Sequence, residues 1–439
     1  MDRELILKAL IDWNFWYKQQ FVGYPREKYV EEVLNIIKSD YIASVLGVKR
    51  AGKSTILNQV ARKLIENGTD PFDILIVNFE DGRFSEIKNA KDLFSLYNLY
   101  LEVKRRKGTK PYIFLDEVQK VEGWEGFARS LVDRKEAFVV VSGSTSDLLN
   151  DNARKKLAGR HVIVNVYPLS FKEFLEFKGL KVNTEIDLIA REAEIKSLFH
   201  EYLLYGGFPG IVNSSIKEQL LSSLYEDILV RDVITPCKIK ESEKLRTLAL
   251  YYITNSGNRI RFRNVSRQLQ IPLRTVQRFT ECLVKANLVF FVYPLSPHLS
   301  VMVRAERKVY AVDQGLINVI GHRLNPNMGV LLENLVFLEL LRRYGEGKVF
   351  YYRGKKGEVD FVIKEGNSVT KAYQVTYKLN EREYSGVKEL LKYVPVTFLT
   401  YDEEGEVEVN GVKLKVLKVW KWLISEELKS NFSSKEYPA

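Results

Sequence analysis

Cysteine, methionine and histidine are scarce in this 439-residue chain, with two, three and four copies. Two cysteines, Cys237 and Cys282, argue against a disulfide framework or a thiolate zinc cluster. Four histidines weaken the case for a His-metal centre or a His-based catalytic triad. Long apolar runs are missing too: none approaches the roughly 18 residues that would span a bilayer, so no membrane partner and a cytoplasmic location are expected. The opening MDRELILKALIDWNFWYKQQ carries acidic residues. It lacks the basic region, apolar core and small-residue cleavage site of a secretory signal, and reads instead as an amphipathic helix. Repeats and low-complexity tracts are absent as well.

What is present is a globular composition, 46% hydrophobic and 28% charged. The length exceeds what one core ordinarily serves, so about three domains are expected. Abundant Lys, Arg, Glu and Tyr beside few Cys and Met resemble a heat-adapted composition. The net charge of +11 is unevenly spread: Pro236 to Tyr310 holds 14 Lys and Arg against 4 Glu. Such a concentration points to a polyanionic partner, the alternative being a solvated charged face.

From Tyr41 to about Val166, short apolar runs (YIASVLGV, DILIVNFE, YIFLDEV, AFVVVSGS, HVIVNVYPL) alternate with helical stretches. That pattern predicts a parallel sheet covered on both faces, an α/β domain over residues 1–168. Helices follow, interrupted at YGGFPG (Tyr205 to Gly210), where glycines and a proline cannot continue a helix. Residues 169–235 are therefore read as a helical lid. Residues 236–323 read as helices followed by a strand pair, the order of a winged helix-turn-helix. Residues 324–439 form a small second α/β domain, in which GVLLENLVFLELLRRY precedes the strands VFYYR, EVDFVIK, KAYQVTY and VTFLTY.

The chemistry is densest at Gly47, Val48, Lys49, Arg50, Ala51, Gly52, Lys53 and Ser54, which fit G-x4-G-K-[ST] between an apolar strand and a helix that continues through Thr55. Glycines let backbone N–H groups turn toward phosphate oxygens, and the helix N-terminus adds positive potential. Lys53 is expected to reach the β and γ phosphates, and Ser54 to bind Mg²⁺. The strand Tyr112-Ile-Phe-Leu ends in Asp116 and Glu117. Asp116 is expected to hold the metal and Glu117 to polarise the attacking water. The next strand ends in Ser142-Gly-Ser144-Thr145, any hydroxyl of which could sense the γ-phosphate. Arg160, after Gly159, is either an arginine finger or a surface salt-bridge partner.

Together GVKRAGKST, VNFED, IFLDEVQ, VSGSTS, LAGR, YPLSFKEF, YLLYGGFPGIV and YEDILVRDV resemble the archaeal and bacterial AAA-type P-loop ATPases that carry a DUF4143-like C-terminal region. The resemblance covers most of the chain. It implies ATP or ADP and Mg²⁺ as cofactors. It also implies that YPREKY packs near the adenine, with Arg26 as the residue to test, and that GGFP is a lid motif whose Pro209 approaches the base while Gly207 permits the contact.

In the basic segment, Asn264 to Leu269 and Leu273 to Ala286 are the two helices of the helix-turn-helix. Val276, Phe279, Leu283 and Val284 face its core. Arg274, Thr275, Gln277 and Arg278 face outward, suited to phosphates and base edges, and Arg259, Arg261, Arg263 and Arg267 could grip flanking phosphates. The C-terminal order of Glu333, then Asp360, then YQVTYK resembles the PD-(D/E)xK nuclease core. Where that pattern has Glu-x-Lys, this chain has Gln374-Val-Thr376. A neutral amide is a poor Mg²⁺ ligand, and Lys378 is the only substitute cation on that stretch.

The expectation is thus a nucleotide switch whose partners are ATP and DNA. An ATP-regulated nuclease and a signalling or toxin-antitoxin-like scaffold that binds protein are the alternatives, and a homo-oligomer stays open.

Overall fold

The computed structural model describes residues 2–144, 155–157, 159–322 and 327–425. They divide into two compact units between Tyr167 and Pro168.

The first unit is built on five parallel strands: β1 (Ile42–Leu46), β2 (Ile74–Asn78), β3 (Tyr112–Asp116), β4 (Phe138–Gly143) and β5 (His161–Asn165). Their order is β2-β3-β4-β1-β5. β1 and β2 are buried at every position, as continuous apolar runs must be when helices cover both faces of a sheet. At one edge β5 exposes Val162 and Asn165. At the other, β2 is capped by the N-terminal segment. The Asn14 side chain bonds Ile76 in both directions, at 3.0 and 2.7 Å, and Trp16 Nε1 donates to Ile74 O at 2.9 Å. These bonds satisfy an edge that would otherwise template foreign strands. The amphipathic helix expected at the start is Arg3–Trp13, with Ile6, Ala9 and Leu10 buried.

Register decides where the chemistry falls. Leu46 lies opposite Gly143, and Asn78 opposite Asp116. The carboxyl ends of β1, β3 and β4 therefore finish side by side and deliver Gly47, Asp116 and Ser142 to one rim.

The second unit opens with helices Phe171–Phe177, Glu185–Ala190, Glu192–Tyr205, Pro209–Val212 and Lys217–Ile228. Helix Ser242–Thr254 leads into β6 (Arg259–Ile260), helices Phe262–Leu269 and Leu273–Lys285, β7 (Val289–Val292) and β8 (Arg307–Ala311). The three strands pair antiparallel in the order β6-β8-β7. Gln270, in the left-handed region at φ 53°, makes the turn between the two central helices. Helix Met328–Tyr344 then precedes β9 (Val349–Arg353), β10 (Glu358–Glu365), β11 (Ser368–Thr376), β12 (Val396–Thr400), β13 (Gly405–Val409) and β14 (Val412–Lys418). They form a mixed sheet in the order β13-β14-β12-β11-β10-β9.

The residues after Tyr167 form one compact unit by contact, and buried polar ties join the segments expected as lid, winged helix and C-terminal domain. Asp313, after β8, accepts from Gly207 N at 2.8 Å. Asn334 of the long helix exchanges hydrogen bonds with the main chain of Ala311. The two cysteines, expected to carry no disulfide framework, are bonded to each other: Cys237 and Cys282, 45 residues apart, tie the segment after the lid helices to helix Leu273–Lys285. The expected boundary at 323/324 lies outside the described residues.

Candidate functional site

Between β1 and helix Lys53–Glu66 the chain turns through three left-handed residues: Gly47 (φ 155°), Arg50 (φ 62°) and Gly52 (φ 100°). A side chain at Gly47 could not fit, since a Cβ there would lie 2.1 Å from Val166 O. Val48 and Ala51 are buried, which anchors the loop at both ends. Lys49 extends to Glu80 at 3.8 Å. Thr55 is half-buried against Gly23.

Lys53 is 6% exposed, and its ammonium donates to Gly47 O at 3.2 Å while lying 3.6 Å from Glu117 Oε1. The amine thus stands across the mouth of the loop, against the residue expected to handle water. Asp116 is buried, and the hydroxyl of Ser142 donates to its Oδ1. The same hydroxyl accepts from Glu117 N at 3.2 Å. One side chain on β4 thereby fixes both acidic residues at the end of β3. Glu117 sits at φ 55°, a left-handed conformation that turns it off the strand, and Gln119 Nε2 donates to its Oε2 at 2.7 Å. Burial pushes the Asp116 carboxyl up, opposed by the hydroxyls of Ser142 and Ser54 and by Lys53. Ser54 and Asp116 therefore meet, and a hydroxyl beside a carboxylate is the oxygen donor set that suits Mg²⁺. The residues fit that ion.

Among the hydroxyls left open by the sequence, Ser142 lies at the carboxylates. Ser144 is buried at the end of β4, and Thr145 lies outside the described residues. Arg26 is buried, and its guanidinium donates to Ala51 O at 2.9 Å and Tyr167 O at 3.0 Å. The guanidinium expected near an adenine braces the loop through these two carbonyls. Arg160 Nε lies 2.6 Å from Asp133 Oδ1, in a surface salt bridge.

In the second unit, Gly206 and Gly207 have a packing reason. A Cβ would lie 1.7 Å from Asp313 Oδ1 at the first and 2.5 Å from Leu169 O at the second. Pro209 starts helix Pro209–Val212. On helix Leu273–Lys285, Val276, Phe279, Cys282 and Leu283 are buried. Arg274, Gln277 and Arg278 are exposed, Thr275 is half-buried, and Arg263 and Arg267 are exposed on the preceding helix. Arg267 also donates to Asn264 Oδ1, and Arg259 and Arg261 lie 3.6 and 3.8 Å from Glu358 and Glu306.

Glu333, Asp360 and Gln374 come together as the nuclease-like pattern anticipates, but Lys378 does not join them. β11 ends at Thr376, so the two-residue alternation that was to bring Lys378 onto the face stops short, and its side chain is exposed. The cation at this cluster is Lys308 from β8, whose ammonium lies 2.7 Å from Asp360 Oδ1 and 3.0 Å from Glu333 Oε1. Sequence reasoning missed Lys308, as it did Glu358, Glu383 and Asp313. Only Asp313 left a local trace, standing as a helix cap before Gln314-Gly315.

Fold and site together define an α/β domain whose parallel sheet carries the glycine-rich loop, Lys53 and Asp116 on one rim. Residues 39–175 match the family described as AAA domain, and residues 328–421 match the domain of unknown function DUF4143. Residues 196–326 match a further domain of unknown function, DUF8612. An uncharacterized protein of Haemophilus influenzae is 28% identical over 91% of this chain and 98% of its own length. Another, of Methanocaldococcus jannaschii, is 29% identical over 97% and 96%. Among solved structures, the chain is similar to a Walker-type ATPase of Pyrococcus abyssi, at 15% identity and TM-score 0.39, over 68% of this chain and 95% of that one. It is also similar to Cdc6p from Pyrobaculum aerophilum, at 13% identity and TM-score 0.30, over 77% and 98%.

Proposed function

We propose that this chain binds ATP with Mg²⁺ at residues 47–55, hydrolyses it, and uses the cycle as a switch on DNA through the basic segment. The observation that carries this reading is the Lys53 ammonium, held between Gly47 O and Glu117 Oε1 beside an Asp116 that both Ser54 and Ser142 engage. A buried amine held by a carbonyl and a carboxylate is suited to receive a phosphate oxygen. Ser54 and Asp116 would hold Mg²⁺, which when bound offsets the charge of the phosphates. Glu117 takes the role of orienting and polarising water, and Ser142 keeps it in place. Arg26 supports the loop from below.

Exposed Arg263, Arg267, Arg274, Gln277 and Arg278, on two helices joined by a tight turn, support the DNA reading, with the second helix as the one that enters a groove. The test is fluorescence anisotropy of a labelled duplex with Glu117→Gln, which holds ATP uncleaved, in ATP and in ADP. Different affinities in the two states are expected. The double variant Arg274→Ala, Arg278→Ala should weaken binding and lower the slope of log K against log salt by about 2, one for each lost phosphate contact. Equal affinity with both nucleotides ends the switch reading, and absence of duplex binding at low salt ends the DNA reading.

One feature favours a protein partner as the second reading. Helix Leu299–Arg304, between β7 and β8, exposes Leu299, Val301 and Val303. Apolar residues grouped at a tip suit a protein contact better than a phosphate backbone.

A further inference from the structure

The carboxylate cluster of the second unit holds its own cation. Lys308 extends from β8 into a site made by Glu333 of helix Met328–Tyr344 and by Glu358 and Asp360 of β10. Its Nζ lies 3.0 Å from Glu333 Oε1, 3.3 Å from Glu358 Oε1 and 2.7 Å from Asp360 Oδ1. The ammonium donates to Glu333 and Asp360, and Glu358 lies within ion-pair distance of it. The Lys308 side chain is 2% exposed.

Further donors hold the carboxylates. Asp360 Oδ2 accepts from Val375 N at 3.0 Å, and Glu333 Oε1, which Lys308 already reaches, also accepts from Tyr310 OH at 2.8 Å. Gln374, where the nuclease pattern has a carboxylate, accepts from Asp360 N at 3.3 Å and donates to Glu383 Oε2 at 2.7 Å. Mg²⁺ needs oxygen ligands at roughly 2.1 Å in near-octahedral array, and the point from which these carboxylates could supply them is filled by Nζ. Among the described residues, no set of three or more His, Cys, Asp or Glu side chains is disposed to hold a metal ion. The residues present do not fit the divalent ion that a PD-(D/E)xK site requires.

We propose that Lys308 permanently takes the cation's place in this nuclease-like site, so that Glu333, Glu358 and Asp360 fasten the basic segment to the C-terminal sheet instead of cleaving nucleic acid. The position of β8 agrees with this. Asn334 clasps Ala311 through both its amide oxygen and its amide nitrogen, at 2.9 and 3.1 Å, and Ser256 Oγ donates to the same oxygen at 2.8 Å. Beyond β7 the chain continues the brace: Leu295 N donates to Tyr351 O at 2.7 Å, and Tyr351 N to Tyr293 O at 3.1 Å. The cation that neutralises the cluster thus arrives on the strand that the cluster holds.

The test uses the full chain without nucleotide. Mn²⁺ titration followed by electron paramagnetic resonance should give the same binding for wild type and Asp360→Asn, and neither should nick plasmid or branched DNA in Mg²⁺ or Mn²⁺. Lys308→Met leaves buried carboxylates uncompensated, and the thermal midpoint of the second unit should fall by roughly 10 °C. The double variant Lys308→Met, Asp360→Asn should regain a large part of that loss. Mn²⁺ binding or DNA cleavage that Asp360→Asn abolishes would overturn the proposal, as would a Lys308→Met chain that melts with wild type. If Lys308→Met does not fold, the double variant decides that arm: recovery of folded protein supports the brace, and continued failure overturns it.

Discussion

Ser142→Ala tests the site at the residue that joins its two carboxylates. The hydroxyl donates to Asp116 Oδ1 and accepts from Glu117 N at 3.2 Å, and both Ser142 and Asp116 are buried. Alanine removes both bonds and puts no water in their place. A hydrogen bond to a charged group contributes about 1.5–3 kcal/mol and a neutral one about 1 kcal/mol, so the fold of the first unit should lose about 2.5–4 kcal/mol. The part that reaches catalysis is the anchoring of Glu117. Releasing that anchor at about 1.4 kcal/mol corresponds to a kcat roughly 10-fold lower. KM for ATP should move much less, because Lys53 and the loop are untouched. Steady-state ATP hydrolysis and thermal unfolding, measured on the same preparations, separate the two effects. Ser142→Thr keeps the hydroxyl and should recover most of the rate. An unchanged kcat in Ser142→Ala, or an equal loss in Ser144→Ala, would refute the assignment of this serine.

Arg26→Ala should lower the thermal midpoint and weaken ATP binding together, because it strips the donors from Ala51 O and Tyr167 O beneath the loop. Arg26→Lys should not rescue it, since one ammonium cannot reproduce a fork that bridges two carbonyls; full rescue by lysine would contradict the bracing role. Asp313 and Glu333 predict a pH dependence of stability. Burial pushes their pKa up to about 7 from 3.8 and 4.5. The folded chain then keeps protons that the unfolded chain has released, so the stability these two contribute is full below about pH 4 and is lost as pH rises toward 7. Differential scanning fluorimetry between pH 5 and pH 7.5 should show a falling midpoint, less steep in Asp313→Asn or Glu333→Gln, and an unaltered slope in both variants would contradict it.

How much of this was legible in the sequence differs between the two units. Lys53, Asp116 and Glu117 could be read because phosphate chemistry demands those residue types at fixed offsets from strand ends, and the offsets are local. The α/β core followed from the same apolar runs. Arg26 was found but its partners were not: backbone carbonyls leave no mark in sequence, so a buried brace and a ligand contact look alike. That Ser142 bonds Asp116 depends on the register of β4 against β3, which alternation alone does not supply. In the second unit the decisive contacts are long-range. Lys308 reaches Asp360 across 52 residues, and nothing near Asp360 announces a cation. The local candidate, Lys378, failed because β11 stops at Thr376, and strand ends are what periodicity fixes least well. The Cys237–Cys282 bond belongs to the same class, since two cysteines 45 residues apart carry no spacing signal.

Whether residues 47–55 with Asp116 and Glu117 form a working ATP site is decided by ATP binding and phosphate release by the purified chain with Mg²⁺ and with EDTA, beside Lys53→Ala. Wild type should bind ATP and release phosphate only with Mg²⁺, and Lys53→Ala should lose both. A wild-type chain that binds no ATP, or a Lys53→Ala chain that behaves as wild type does, would contradict that reading.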